Sequence, residues 1–420
     1  MKSRKTFRRS MAVLMAVLAL TLPLCMGAQA FTTAPPKSVH FRADGTFKVL
    51  HICDTQDNQY PRPAMILFLD RLIEQEDPDF IIFGGDQTYD TAHWSFSTKK
   101  ALDWQIAPLL KHDVPFDAVL GNHDSPSLFS VFRDITWGNY NDYTNSLTDD
   151  PAWWLHGSGT HNTPVYSADG SQVLYNFWLI DGGDYDYFAT IWSNIFGGNS
   201  SVYDYVHDDQ IEWIKTRDRY LTDQNEGVPV PSMAVQHMIA PDIYEYLVEA
   251  PADAEDDYRW FDGKKYLAQF KDDAVYTGLL QETPCPPDHP NGEVAALSEI
   301  GVKAILTGHD HVNNFITNIK GVDFLQTGSV GYNAYGNDNV RGCRVIELNT
   351  ADLSTYTTRT VLYSDILTDP ADIAMWQYGK TEEAEAITEE AYKATKGVKT
   401  DRLNAMLDKM YELLAAAAGV

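Results

Sequence analysis

Five groups of carboxylate, amide and imidazole residues each follow a short apolar run. In chain order the groups are Asp54-Thr55-Gln56, Gly85-Asp86, Gly121-Asn122-His123-Asp124, His237 and Gly308-His309-Asp310-His311. If the apolar runs are strands, these groups lie at strand ends, where distant parts of a chain can converge. Convergent oxygen and nitrogen donors can hold two metal ions that hydrolyse a substrate. The pattern therefore predicts a two-metal hydrolytic site.

Each group taken alone has an ordinary structural explanation. An aspartate at a strand end, such as Asp54 or Asp86, often caps a helix or closes a turn. A single histidine such as His237 often bonds to its neighbours within a core. The last group is more specific, because two imidazoles at a buried strand end, His309 and His311, are costly without a metal or another partner. The joint occurrence of all five groups favours the metal site.

Strands and helices alternate in the first third of the chain. The apolar patterns predict strands over 47–53, 79–83 and 115–120, with helices over 63–76 and 104–110. Later strands are predicted over 173–180, 232–236, 302–306, 322–326 and 343–348, with a helix over 208–221. Many strands in mixed order favour an α/β sandwich over a Rossmann-type sheet.

Three further segments differ from the rest in composition or in the periodicity of their apolar residues. Residues 125–170 and 181–207 are rich in Trp, Tyr, Asn, Asp and Gly without clear periodicity, so we expect long loops over the site. Apolar residues recur at i, i+3, i+4 spacing over 400–417 and predict an amphipathic helix packed on the main domain.

The N-terminal residues have the pattern of a secretory signal: a basic start, an apolar stretch over 11–24 and a small-x-small cleavage pattern at 28–30. The apolar stretch is short for a membrane span, which needs about 20 residues. We expect a secreted, periplasmic or cell-surface protein without a stable membrane span. The expected divisions are a signal peptide over 1–30, one large domain over 31–365 and a helical extension packed on it over 366–420.

The chain is strongly acidic, with a formal net charge of −27. Cleavage of the signal would remove five basic residues and no acid, lowering the charge to −32. Such a surface repels polyanions, so we expect small phosphorylated substrates and no nucleic-acid polymer as partner. Cys53, Cys285 and Cys343 would remain, too few for a disulfide framework. We expect them to be structural, although an oxidising compartment would permit one bridge.

In order, spacing and residue type, the five groups resemble the motifs of the calcineurin-like metallophosphoesterase superfamily: D-x-H, G-D-x-x, G-N-H-[DE], a lone His and G-H-x-H. The resemblance covers about residues 45–350. Residues 308–313, 331–336 and 341–345 are similar to the purple-acid-phosphatase-like branch. The resemblance implies a four-layer αββα sandwich of two mixed β-sheets, with two metals at the carboxyl ends of the strands.

The resemblance also implies a role for each metal ligand. Asp86 matches the carboxylate that bridges both metals. The other matched ligands are Asp54 and His311 for the first metal, and Asn122, His237 and His309 for the second. Mixed oxygen and nitrogen donors suit iron, zinc or manganese, as two divalent or mixed-valence ions.

Two further residues match catalytic positions of the family. His123 matches the non-ligand histidine that stabilises the transition state or protonates the leaving oxygen. The resemblance implies that an aspartate orients that histidine; Asp124, the next residue in sequence, is the candidate, although adjacency by itself does not identify the partner.

One position departs from the family motif, because Gln56 stands where most members have the histidine of D-x-H. A neutral amide oxygen is a weaker ligand than imidazole for borderline metals. Tyr89 offers an alternative, since Gly85-Asp86-Gln87-Thr88-Tyr89 matches the G-D-x-x-Y pattern of purple acid phosphatases, in which the tyrosine binds ferric iron. Either Gln56 or Tyr89 is expected to complete the first metal shell; an ordinary surface role for Tyr89 is about as well supported.

These residues predict a secreted phosphoesterase that hydrolyses phosphomonoesters by attack of a metal-activated hydroxide. A phosphodiesterase acting on nucleotides, lipid headgroups or cell-wall polymers would use the same metal core. A non-catalytic binding protein that retains the metals is a third alternative, supported by the absence of histidine at position 56.

Overall fold

The computed structural model describes residues 37–89, 95–124, 131–186, 190–191, 202–251, 253–254 and 258–420, with backbone alone for 95–96 and 131–132. The expected signal peptide lies outside these ranges. Within them, no helix is both long enough and apolar enough to cross a membrane.

Sixteen strands in the described residues form three sheets. In chain order they are β1 (Val39–His40), β2 (Thr46–Ile52), β3 (Phe80–Gly84), β4 (Phe116–Val119), β5 (His161–Tyr166), β6 (Val173–Leu179), β7 (Ser232–Val235), β8 (Leu247–Glu249), β9 (Tyr258–Phe261), β10 (Lys264–Phe270), β11 (Tyr276–Leu279), β12 (Val302–Thr307), β13 (Asn314–Ile319), β14 (Val322–Gln326), β15 (Gly342–Asn349) and β16 (Thr357–Leu362).

The same residues contain nine α-helices and two short 3₁₀ helices. The α-helices are α1 (Pro63–Glu76), α2 (Ser95–Lys111), α3 (Val131–Tyr140), α4 (Asp208–Gln224), α5 (Glu293–Glu299), α6 (Tyr363–Ile366), α7 (Pro370–Gly379), α8 (Glu385–Ala394) and α9 (Arg402–Ala418). The 3₁₀ helices cover Pro241–Tyr246 and Glu382–Ala384.

Two mixed sheets dominate the fold. The five-stranded sheet has the order β16-β15-β2-β3-β4, and β2, β3 and β4 run parallel to one another. The eight-stranded sheet has the order β1-β5-β6-β7-β12-β14-β13-β11, with β6, β7, β12 and β14 parallel. A small antiparallel sheet, β8-β10-β9, stands apart.

The two large sheets pack face to face around an apolar core. Phe80 and Ile82 of β3 contribute to this core from one sheet, and Val235 and Leu306 from the other. The alternate β3 residue Phe83 belongs to a second core, beneath helices. Because β3 is covered on both faces, its sequence is a continuous apolar run rather than an alternating one.

Helices cover the outer face of each large sheet. Helices α1, α2, α7, α8 and α9 share an apolar core with the five-stranded sheet, and α4, α5 and the small sheet share another with the eight-stranded sheet. Helix α1 begins with Pro63, which needs no amide donor at that position. The C-terminal helix α9 bonds to α1 through Tyr411, whose hydroxyl donates to Asp70 Oδ2 at 2.7 Å.

This arrangement of helix, sheet, sheet and helix layers confirms the expected four-layer αββα sandwich. The prediction that residues 125–170 form one loop was wrong, because α3 and β5 lie within them. Strand β5 lacks apolar alternation because its buried His161 and Thr163 are polar and both bond to Asp117. Helix α2 also begins nine residues before the predicted start at 104.

The cysteines of the described region are unbridged. Cys53, Cys285 and Cys343 are all free and buried. Burial raises the pKa of each thiol above its ordinary value, so each is protonated at neutral pH.

Candidate metal centre

Parallel strands of both large sheets end at one place. Asp54 follows β2 by two residues and Asp86 follows β3 by two, in the five-stranded sheet. His237 and His309 each follow a strand of the eight-stranded sheet, β7 and β12, by two residues. Because the sheets pack face to face, these side chains meet between the carboxyl ends of the two sets of strands.

Two groups of three potential metal ligands meet there and share Asp86. The first group is Asp54, Asp86 and His311, and the second is Asp86, His237 and His309. In each group the three ligand atoms lie within 4.8 Å of one another, and all of these residues are buried. A carboxylate common to two ligand groups is the feature that a dinuclear centre requires.

The two oxygens of Asp86 face different neighbours. Oδ2 lies 3.1 Å from His237 Nε2 and accepts a hydrogen bond of 3.0 Å from Gln56 Nε2. Oδ1 accepts the backbone amide of His123 at 2.8 Å. The carboxylate is therefore fixed by the loops that follow β2 and β4, while one oxygen points at the ligand cluster.

Asp54 is held in a similar way by the other sheet. Its Oδ2 accepts the backbone amide of His309 at 3.0 Å. Its Oδ1 lies 3.5 Å from His311 Nε2 and 3.9 Å from His237 Nε2. These distances exceed a hydrogen bond but match the separation of atoms that bind a common cation.

Backbone carbonyls orient two of the imidazoles. His237 Nδ1 donates to the Gly84 carbonyl at 2.9 Å, and His311 Nδ1 donates to the Tyr335 carbonyl at 2.8 Å. A carbonyl only accepts, so Nδ1 carries a proton in both rings and Nε2 is the atom that faces the ligand group. The Tyr335 ring also stacks on His311, with centroids 4.3 Å apart.

Two buried polar atoms support occupation by cations. Among the described residues, Asn122 Oδ1 and His237 Nε2 are buried without a hydrogen bond. An unpaired buried polar atom is costly, and a metal ion would satisfy both. The amide nitrogen of Asn122 instead donates to the Tyr185 hydroxyl at 3.3 Å. The residues present therefore fit a metal centre of oxygen and nitrogen ligands.

The backbone at the centre is strained. Asp54, Gln56, Asp86 and His309 all adopt positive φ angles, of 54°, 36°, 55° and 71°. Left-handed conformations cost energy for residues other than glycine and concentrate at functional sites. The surrounding packing therefore stores strain to aim these side chains.

Two of the motifs require glycine because a side chain at that position would collide with its neighbours. A Cβ at Gly85 would collide with the His237 ring, and one at Gly121 would collide with Asp86. Gly85 also has a φ of 99°. These close approaches explain why both motifs begin with glycine.

Burial and charge together shift the titration of the ligand set. Burial raises the pKa of Asp54 above its usual range. Burial alone would have the same effect on Asp86, but the neighbouring His237 outweighs it and lowers the pKa of that carboxyl. Burial also lowers the pKa of His309, and that of His311 to about 4. Burial alone would lower the pKa of His237, but Asp86 and Asp54 outweigh it and raise the pKa to about 10. His309 and His311 are therefore neutral, as metal ligation needs, whereas a metal at His237 would displace a proton from that ring.

The expected catalytic pair occupies separate positions. His123 is half-buried at the edge of the centre, and its ring stacks on that of Tyr89 with centroids 5.9 Å apart. Asp124 is buried and accepts the backbone amides of Gly121 and Thr88, both at 2.8 Å. These bonds brace the loop that carries His123, while a direct role for Asp124 in orienting the imidazole stays a prediction.

Gln56 and Tyr89, the two candidates to complete the first metal shell, also lie in different surroundings. Gln56 is buried and bonds directly to Asp86. Tyr89 is half-buried, with its backbone amide bonded to the Asp57 carbonyl at 3.1 Å and its ring against His123. Gln56 is therefore placed against the shared carboxylate, and Tyr89 against the predicted acid.

Aromatic residues that the sequence patterns did not identify surround the centre. The Tyr203 ring meets the His309 ring edge to face at 5.2 Å and stacks on Tyr185 at 5.3 Å. Both tyrosines come from 181–207, where an irregular segment over the site was expected. Their tyrosine-rich composition was the available signal, but it could not show which rings reach the ligands.

The chain is similar to several known proteins. A probable inactive purple acid phosphatase 14 of Arabidopsis thaliana is 29% identical over 74% of this chain and 77% of its own length. Phosphatase DCR2 of Saccharomyces cerevisiae is 21% identical over 65% of this chain and 45% of its own. A dimetal phosphatase from Danio rerio is 13% identical, covering 76% of this chain and 99% of that one with a TM-score of 0.42.

The family profile is the most direct of the comparisons. The family described as Calcineurin-like phosphoesterase matches residues 47–313, which include β2 to β12 and every candidate metal ligand. Its members use divalent metals to hydrolyse phosphoric esters. The chain belongs to the calcineurin-like phosphoesterase family.

Proposed function

We propose that this chain is a secreted, dinuclear-metal phosphatase that hydrolyses small phosphomonoesters. The observation that carries the proposal is the sharing of Asp86 between two three-ligand groups. Family membership supports hydrolysis of phosphoric esters, and the yeast relative reported above is named as a phosphatase. The basic and apolar N-terminal sequence supports export.

The ligand set has enough charge and enough donors for two cations. Asp54 and Asp86 supply two carboxylates, and the histidines and Asn122 supply neutral donors. Two ions of iron, zinc or manganese would provide positive charge that stabilises phosphoryl oxygens and acidifies water. Because the chain has a net charge of −27, attraction of an anionic substrate must be local to this centre.

Side chains of the protein would position the metal ligands and protonate the leaving group. His237 and His311 are locked by carbonyls, so the ligand atoms need not reorganise during the reaction. His123 is anchored through its backbone amide to Asp86, and the residue is half-buried. We assign to it the proton that the leaving alkoxide oxygen must receive.

Asp86→Asn tests the proposal most directly, since it weakens the ligand common to both groups. With added Mn²⁺, Zn²⁺ or Fe²⁺, wild-type protein should hydrolyse para-nitrophenyl phosphate faster than the bis ester. The variant should lose metal and about 10³-fold in kcat/KM, because metal charge supplies several kcal/mol of transition-state stabilisation. Asp272→Asn is the matched control, because Asp272 is exposed between β10 and β11.

Each alternative gives a different result. Preference for the bis ester would identify a phosphodiesterase. Metal binding without turnover of either ester would identify a binding protein, a result to be considered because the Arabidopsis relative is named as probably inactive. Unchanged activity and metal content in Asp86→Asn would refute the site itself.

A further inference from the structure

A second group of metal-ligating side chains lies outside the candidate centre. His156, Asp204 and His207 each present one ligand atom, and these atoms lie within 4.8 Å of one another. The Nε2 atom of His156 is 2.9 Å from Asp204 Oδ2. The Nε2 atom of His207 is 2.9 Å from Asp204 Oδ1. Two imidazoles thus aim the same ring nitrogen at one carboxylate.

The two imidazoles of the cluster lie against each other. Their rings are stacked, with centroids 3.5 Å apart and planes 16° from parallel. Ligands of a tetrahedral zinc ion with bonds of about 2.0 to 2.1 Å are separated by about 3.4 Å. The ligand atoms of the cluster lie within 4.8 Å of one another and would have to close to about 3.4 Å to share one cation.

The charge around the cluster also favours a cation. A cleft of about 440 Å³ is lined by His156, His207, His289 and the acids Asp208 and Asp209. Among the described residues that line it, none is lysine or arginine. With Asp204, three carboxylates therefore surround the imidazoles. The cleft also leaves room for a water molecule as a further ligand.

The donor atoms are held by their surroundings. The Asp204 carboxylate packs against Gly183, where no Cβ could fit. The Tyr205 ring stacks on that of His207, with centroids 4.2 Å apart. The backbone amide of His156 donates to Asp209 Oδ2 at 2.9 Å. A cation would bind a preorganised group rather than three mobile side chains.

The cluster adjoins the candidate catalytic centre through the chain itself. Asp204 directly follows Tyr203, the ring that meets His309 edge to face. We propose that His156, Asp204 and His207 bind a third divalent cation, of the zinc type, that fastens the segment around His156 to the segment carrying Tyr203. Two nitrogen donors and one oxygen donor suit Zn²⁺ better than Ca²⁺ or Mg²⁺.

The proposal is tested by counting zinc ions on the full chain. Chelator-treated wild-type protein is titrated with ZnCl₂ by calorimetry, and the bound metal is measured after dialysis. His156→Ala and His207→Ala should each bind one equivalent less than wild type. His289→Ala is the matched control, since it empties part of the same cleft without removing a proposed ligand, and it should bind as much as wild type.

A second measurement separates the sites and guards against misfolding. The His156 side chain is 44% exposed, so its removal should leave the fold intact, as circular dichroism would show. In an Asp86→Asn background, Zn²⁺ should still raise Tm, and adding His207→Gln should weaken that zinc binding at least about 100-fold. Equal zinc stoichiometry in wild type and the His156 and His207 variants would overturn the proposal and leave a purely hydrogen-bonded cluster.

Discussion

Gln56 Nε2 donates a hydrogen bond of 3.0 Å to Asp86 Oδ2, the carboxylate that both ligand groups share. An amide turned over at the same place would present its oxygen 3.0 Å from that carboxylate oxygen, a normal separation for two ligands of one cation. Gln56 is therefore in position to be a ligand as well as a donor. Its neutrality should make the first metal site weak.

Replacing Gln56 with histidine should strengthen the first metal site. Imidazole is a better ligand than an amide for zinc or iron, so we expect about tenfold tighter binding of one metal equivalent. Competition with a coloured chelator measures the affinity. Gln59→His is the matched control, because Gln59 bonds instead to Ser97 and Lys100. An unchanged affinity in Gln56→His would show that this position lies outside the metal shell.

Tyr89 gives a prediction with a spectroscopic readout. If its phenolate binds iron, the iron-loaded protein should be purple and Tyr89→Phe should lose the absorption band. Tyr203→Phe removes a different phenol near His309 and should keep the band. A colourless iron-loaded wild-type protein would exclude Tyr89 as a ligand and leave its ring as a neighbour of His123.

His123→Ala should reduce kcat by about 10² to 10⁴-fold without changing the number of bound metals. The loss should be smaller for para-nitrophenyl phosphate than for an alkyl phosphate, because a nitrophenolate leaves without a proton. His40→Ala removes another half-buried histidine, bonded to Ser38 and Ser167, and should retain activity. Equal losses for both substrates would argue against His123 as the acid.

Gly85→Ala should damage the second metal site through packing. The added Cβ would collide with His237, so we expect the loss of one metal equivalent and a cost of about 1 to 3 kcal/mol in the free energy of unfolding. Gly263→Ala is the matched control, since Gly263 also has positive φ but its Cβ would meet no atom within 4 Å. Metal analysis and denaturant unfolding measure the two effects. Identical results for the two variants would mean that backbone strain alone is responsible.

His161 should make stability depend on pH. Its Nε2 lies 3.0 Å from Asp117 Oδ2, and its Nδ1 donates to the Gly159 carbonyl at 2.7 Å. Burial alone would lower the pKa of His161, but Asp117 and that carbonyl outweigh it and raise the pKa above the ordinary value of 6.5. The folded state therefore binds this proton more tightly than the unfolded state.

The stabilisation is complete below pH 6.5 and is lost as the pH rises through the folded pKa. We expect the free energy of unfolding to fall by about 1 kcal/mol per pH unit in that window relative to His161→Gln. Urea unfolding of both proteins from pH 5.5 to 9 measures this difference. Parallel pH curves would show that the pKa of His161 is the same in the folded and unfolded states.

Much of the fold could be predicted because its strands are covered on both faces. The continuous apolar run ending at Gly84 marks β3, and the same logic located β2, β7 and β12 to within one or two residues. Strand β5 was not predicted because its buried face carries polar residues. These residues bond to Asp117, which lies on another strand. Hydrophobic patterning cannot report burial that depends on such a distant partner.

The sequence by itself determined which residues could bind metal, because residue type and position at a strand end are local properties. The family resemblance implied that Asp86 bridges two metals, but only the tertiary structure brings two ligand groups together at it, since this depends on two sheets packing face to face. The same is true of His156, which lies 48 residues from Asp204 and meets it only in the folded chain. Spacing along a chain constrains neighbours a few residues apart; contacts between distant segments are set by the packing of the layers.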